Sequence, residues 1–170
     1  MKTLLIIWHS RTGYARQMAQ ALARGADQVA HELELQAKLR VRLQAAPDTD
    51  PADILAADGY LFCAPENLAS LTGEMKACLD RCYYPVLDQI AGRPYAAAIS
   101  AGTDGEGAAR QLTRIATGWR LRAVAAPLIE RNGAQTPDAI LAPKTVPPQA
   151  LARCEELGGL LAATLLTSET

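Results

Sequence analysis

The chain has 170 residues, of which 49% are apolar and 21% charged, enough for one domain over residues 1–170 with a full-sized core. A formal net charge of −1 offers no basic field to nucleic acid, and the apolar stretch before His9 is too short for a signal peptide or a membrane span. Four scattered cysteines and two histidines without ligand spacing argue for reduced core thiols and no metal, in a cytoplasmic protein.

In chain order, residues 3–8 form a continuous apolar run, the signature of a strand buried on both faces. A short polar turn, Ser10-Arg11-Thr12-Gly13, leads into a helix over 14–24 with Ala15, Met18, Ala19 and Leu22 on one stripe. Strict alternation over 33–43 predicts a half-exposed edge strand. Asp50 and Pro51 open a short helix that ends before Gly59. Residues 59–64 read as a second apolar strand and 65–71 as a loop, with Ser70 or Thr72 capping the next helix. That helix carries Met75, Cys78, Leu79 and Cys82 inward and ends near Pro85; Tyr83 and Tyr84 are assigned to the core or an interface.

Residues 95–100 form a third buried strand, and the glycine-bearing turn 101–107 leads to a helix stopped by Gly118. A last, edge-like strand spans 120–129. The Pro-rich stretch 130–148 reads as an ordered loop without regular structure, although Ile140, Leu141 and Val146 need cover. A closing helix over 150–166 turns Leu151, Cys154, Leu157, Gly158, Leu161 and Leu165 inward.

Five β-α units imply an α/β protein, a three-layer α/β/α sandwich around a five-stranded parallel sheet. Placing the half-charged strands at the edges gives the order 2-1-3-4-5. Ligands in such sheets bind beyond the strand C-termini where the order reverses, here between the first and third strands. The loops meeting there are 10–15, 65–71 and 100–107. Neither G-x-x-x-x-G-K-[ST] nor, after the first strand, G-x-G-x-x-G is present. A hydroxyl-rich turn before a helix N-terminus suits a single phosphate monoester instead. Trp8 is expected beneath the sheet, and His9 beside the site as a hydrogen-bond donor. Glu66 reads as a solvated loop acid, and Asp104 and Glu106 as charges favouring a helix N-terminus.

Ser10-x-Thr12-Gly13 after an N-terminal apolar strand resembles the phosphate loop of flavodoxin-like proteins. Ala64-Pro65-Glu66-Asn67, followed by Gly73-Glu74-Met75-Lys76 and Leu79-Asp80-Arg81, resembles the NAD(P)H-dependent FMN reductase and quinone reductase branch, and the likeness extends to Glu156-Leu157-Gly158. The resemblance implies a flavodoxin-like fold, bound FMN, NAD(P)H as electron donor, a quinone or similar small-molecule acceptor, and a homodimer or homotetramer. It assigns the FMN phosphate to Ser10, Arg11, Thr12, Gly13, Tyr14 and Ala15. It assigns the isoalloxazine ring to Pro65, Glu66, Asn67, Leu68 and Ala69, with Ser100, Ala101, Gly102, Thr103 and Asp104 opposite. No side chain is assigned a catalytic role, because the flavin carries the electrons. Two departures stand out. Tyr14-Ala15 occupies the place of an Asn-Thr pair, leaving Arg11 and Arg16 to compensate by charge, and Leu68 stands where an aromatic residue often stacks on the ring. Two alternatives remain, a one-electron carrier of the flavodoxin type and a flavin-free interaction module on the same fold.

Overall fold

In the computed structural model, which describes residues 1–168, the first apolar run is strand β1 (Lys2–Trp8), with Leu4 to Ile7 fully buried. Helix α1 (Tyr14–Glu32) follows, then β2 (Leu39–Ala45), α2 (Pro51–Ala56) and β3 (Gly59–Asn67). A two-residue strand β4 (Ser70–Leu71) precedes α3 (Gly73–Val86), β5 (Pro94–Ala101) and α4 (Glu106–Gly118). The chain ends in β6 (Arg122–Ala123), β7 (Leu128–Arg131), α5 (Pro137–Leu141) and α6 (Pro148–Thr167).

The sheet order is β2-β1-β3-β5-β6, with β7 also parallel to β5, which is the expected flavodoxin-like 2-1-3-4-5 arrangement. Alternation along each central strand divides the core. Leu5, Ile7, Tyr60, Phe62, Ala97 and Ile99 face α3 and α4. Leu4, Ile6, Leu61, Cys63, Ala96 and Ala98 face α1 and α6. The four cysteines are buried and free, as expected of core thiols. Helices α1 and α6 pack backbone to backbone: a Cβ on Gly158 would fall on the Leu22 carbonyl, and one on Gly25 on that of Glu155.

Five local expectations are corrected, the first being that the Pro-rich stretch 130–148 lacks regular structure, since it holds α5 and the end of β7. Helix α1 runs two turns past Arg24, and residues 33–38 form its terminus and a 3-10 turn, so β2 starts only at Leu39. Glu34 lies in the left-handed region (φ 57) with its N–H on the His31 carbonyl, so the alternation over 33–37 belongs to a helix end rather than a strand. Residues 65–71 are a hairpin rather than a loop, pairing Glu66 with Leu71 and Asn67 with Ser70. Thr72 occupies the N-cap position of α3 without a side-chain cap bond, its hydroxyl being turned to His9. The last strand is split into β6 and β7, because Pro127 lies between them and has no N–H for the ladder.

Candidate functional site

At the top of β1, the His9 N–H donates to the Cys63 carbonyl (3.0 Å) and holds the turn over the sheet. Within the turn, Gly13 takes a left-handed conformation (φ 91) and donates its N–H to Ser10 Oγ at 3.1 Å. Helix α1 has no acidic residue in its first turn, and the N–H groups of Tyr14, Ala15 and Arg16 find no acceptor among the described residues. Three open donors at the positive helix end and the Ser10 and Thr12 hydroxyls therefore lie together in one turn. From below, Cys63 Sγ donates to the Ala15 carbonyl at 3.2 Å and fixes the start of the helix.

A cleft of about 520 Å³ opens from this turn, within the range that takes a cofactor-sized ligand. Its walls include Ser10, Arg11, Thr12, Tyr14 and Ala15, then Pro65, Glu66, Asn67 and Leu68, then Ser100, Ala101, Gly102 and Thr103. Three expected residues lie off these walls. Gly13 lines an adjoining pocket of about 350 Å³ with Trp8 and Arg16, so Trp8 is half-buried at the site rather than beneath the sheet. Ala69 turns its carbonyl against Gly107, where any Cβ would collide with it. Asp104 gives its carbonyl to Arg131 Nε (2.8 Å).

Glu66 is not a solvated loop acid. Its two carboxylate oxygens accept the N–H groups of Gly105 (2.8 Å) and Ala108 (3.0 Å), so it caps α4 from the neighbouring strand and ties the hairpin to the turn after β5. The hairpin tip is strained: Leu68 (φ 50) and Ala69 (φ 60) both occupy the left-handed region, and Leu68 is fully exposed at 101%. The N–H groups of Leu68, Gly102 and Thr103 have no acceptor among the described residues, so backbone donors also face the far end of the cleft.

His9 stands behind the turn. Its Nδ1 is 3.0 Å from Thr72 Oγ1 and its Nε2 3.7 Å from Glu74, whose carboxylate also pairs with Arg11 at 3.4 Å. The Arg11 charge is thus already shared within the protein. The Glu74 carboxyl is held below its usual range, first by its own backbone N–H. Burial of the Tyr14 ring pushes its phenol upward and keeps it protonated.

The sequence reading missed Asn132, Ala134, Ile140, Leu141 and Lys144, which form the remaining wall. These residues come from a strap between β7 and α6 that folds back over the turn. Gln17 fastens it, donating to the Gly13 and Lys144 carbonyls (3.0 and 2.7 Å) and accepting the Val146 N–H (3.1 Å). Gly102 lets the strap approach, since a Cβ there would come within 2.7 Å of the Ala134 carbonyl. The unmet need for cover at Ile140, Leu141 and Val146 was the available signal. Val146 is buried, while Ile140 (52% exposed) and Leu141 (77%) rim the cleft. Among the described residues no helix is long and apolar enough to cross a membrane, and no group of three metal-binding side chains is assembled.

The strand order β2-β1-β3-β5-β6, with helices on both faces of the parallel sheet, places this chain in the flavodoxin-like class of α/β proteins. A flavodoxin from the domain Archaea superposes with a TM-score of 0.75 at 15% identity, covering 96% of this chain and 99% of that one. A WrbA-like flavodoxin protein from Agrobacterium tumefaciens gives the same score and identity over 99% and 100%. Within that class, the family described as NADPH-dependent FMN reductase matches residues 1–134, and the chain belongs to it.

Among curated relatives, an NAD(P)H dehydrogenase (quinone) from Acidithiobacillus ferrooxidans is 33% identical over 94 residues, 48% of this chain and 47% of the relative. A flavodoxin from Aquifex aeolicus is 31% identical over 107 residues, 63% and 54% of the two chains. The chain spans about half the length of the curated relatives it matches.

Proposed function

We propose that the cleft binds FMN with its phosphate on the turn at residues 10–15, and that the protein passes two electrons from NAD(P)H to a quinone or similar small acceptor. The observation that carries this reading is the set of open N–H donors at Tyr14 and Ala15, beside the Ser10 and Thr12 hydroxyls at one end of the cleft, with that of Arg16 one residue further along the same helix turn. Further unpaired N–H groups at Leu68, Gly102 and Thr103 suit the carbonyl and ring-nitrogen acceptors of an isoalloxazine, so the donor set fits FMN at both ends.

Bound FMN would supply hydride acceptance and donation, chemistry that no protein side chain carries. The chain's own residues bind and orient. The α1 N-terminus and the two hydroxyls hold the phosphate, Glu66 keeps the hairpin and the 100–104 loop at fixed separation, and Leu68, Ile140 and Leu141 put apolar side chains along the cleft. Those exposed apolar side chains also support a dimer or tetramer that covers them.

The experiment is to add FMN to the purified protein, follow quenching of flavin fluorescence, and then supply NADPH or NADH with a benzoquinone. Quenching followed by catalytic nicotinamide oxidation is the expected result. Binding without nicotinamide oxidation would favour the one-electron carrier, the reading that the Aquifex flavodoxin supports. Absence of FMN binding would leave the flavin-free module.

A further inference from the structure

Lys144 lies beyond residue 134, where the family match ends, yet it stands at the phosphate turn. Its N–H donates to the Thr12 carbonyl (2.9 Å), and its carbonyl accepts from Gln17 Nε2 (2.7 Å). The backbone is therefore pinned to the turn on both sides, which limits how far the side chain can wander. Its Nζ reaches the Ile140 and Ala142 carbonyls (2.8 and 3.0 Å) and lies 3.4 Å from Thr12 Oγ1.

All three of these partners are neutral, and Lys144 forms no ion pair among the described residues. Arg11, the other cation on the cleft wall, is engaged by Glu74. That leaves the half-buried Lys144 side chain without a counter-charge at the turn, which an anion bound there supplies.

We propose that Lys144 is the charge-neutralising ligand of the phosphate bound at residues 10–15, acting by charge where Ala15 provides no hydroxyl; this rests on the FMN reading above. The three open N–H groups of α1 supply direction, and Lys144 supplies the countercharge. Discrimination between a phosphorylated flavin and its unphosphorylated form therefore depends strongly on one side chain outside the family-matched stretch.

The test compares FMN with riboflavin, which lacks the phosphate, by fluorescence titration of the wild type, Lys144→Gln and Lys144→Arg. Lys144→Gln is expected to weaken FMN binding about tenfold or more while leaving riboflavin unchanged, and Lys144→Arg to keep most of the FMN affinity. The preference of the wild type for FMN should fall with added salt more steeply than that of Lys144→Gln. FMN affinity that survives Lys144→Gln intact would overturn the assignment, as would equal losses for FMN and riboflavin, which mark a structural role. A wild type that binds neither flavin would instead remove the FMN reading and this one with it.

Discussion

His9 acts through the fold rather than on a ligand. Burial holds its imidazole below the ordinary 6.5, opposed by Glu74 and reinforced by Arg11. The folded chain therefore binds this proton more weakly than the unfolded chain does. Stability falls as pH drops below 6.5, and the loss levels off once the folded imidazole is itself protonated. His9→Gln keeps a polar partner for Thr72 and removes the titration. Thermal melts at about pH 7.5 and about pH 5.5 should show a larger drop in midpoint for the wild type than for the variant, and equal drops would exclude His9 from the acid response. The neighbouring residues show what a sequence can and cannot disclose about a site. The turn from Ser10 to Gly13 between β1 and α1 was legible because strand, hydroxyls and glycine are local. The role of Glu66 was not, because the N–H donors it accepts, at Gly105 and Ala108, lie 39 and 42 residues away.

The β3–β4 hairpin carries its strain in the open. A two-residue turn with positive φ at both positions favours Asn-Gly, and here Leu68 and Ala69 occupy it beside the cleft. Each non-glycine residue held there costs about 1 kcal/mol or more. Ala69→Gly should therefore stabilise the fold by about 0.5–1 kcal/mol, raising the melting midpoint by a few degrees. A lower midpoint would show that the turn relaxes in solution. Nothing in residues 65–71 announces a hairpin: the turn lacks its usual residues, and pairing of Glu66 with Leu71 is fixed by docking on α4, where Gln111 Oε1 accepts the Leu71 N–H at 2.7 Å. The error over 33–43 has a different origin. Period two survives by chance across a helix end, where the left-handed Glu34 and the 3-10 turn at Gln36–Lys38 separate α1 from β2.

Sheet order was the most legible feature, because three strands carry unbroken apolar runs (4–8, 59–64 and 95–99) and the flanking ones carry charge. What holds the outer layers was less visible. Helix α6 lies on α1 with glycine at each close approach, so Gly158→Ala would force two backbones apart. The expected loss is about 1–3 kcal/mol in urea unfolding, and a neutral result would mean that the helices separate at little cost. The strap escaped the reading because its cover comes from Gln17 and Thr12, residues with no periodic relation to it.

Gln17 and Lys144 stand 127 residues apart, and Thr12 and Lys144 132. The turn at residues 10–13, among the earliest parts of the chain, is thus completed by some of the latest. Closing so long a loop adds only logarithmically to the entropy of folding, but it orders events in time. An intermediate whose C-terminal third has not docked presents α1 without its strap, and so lacks the complete cleft. A ligand that needs the strap stabilises only the finished molecule, in proportion to the logarithm of its concentration over its dissociation constant. Cofactor supply would then act as a proofreading step on assembly, holding completed molecules in the native state and giving little help to those still half made.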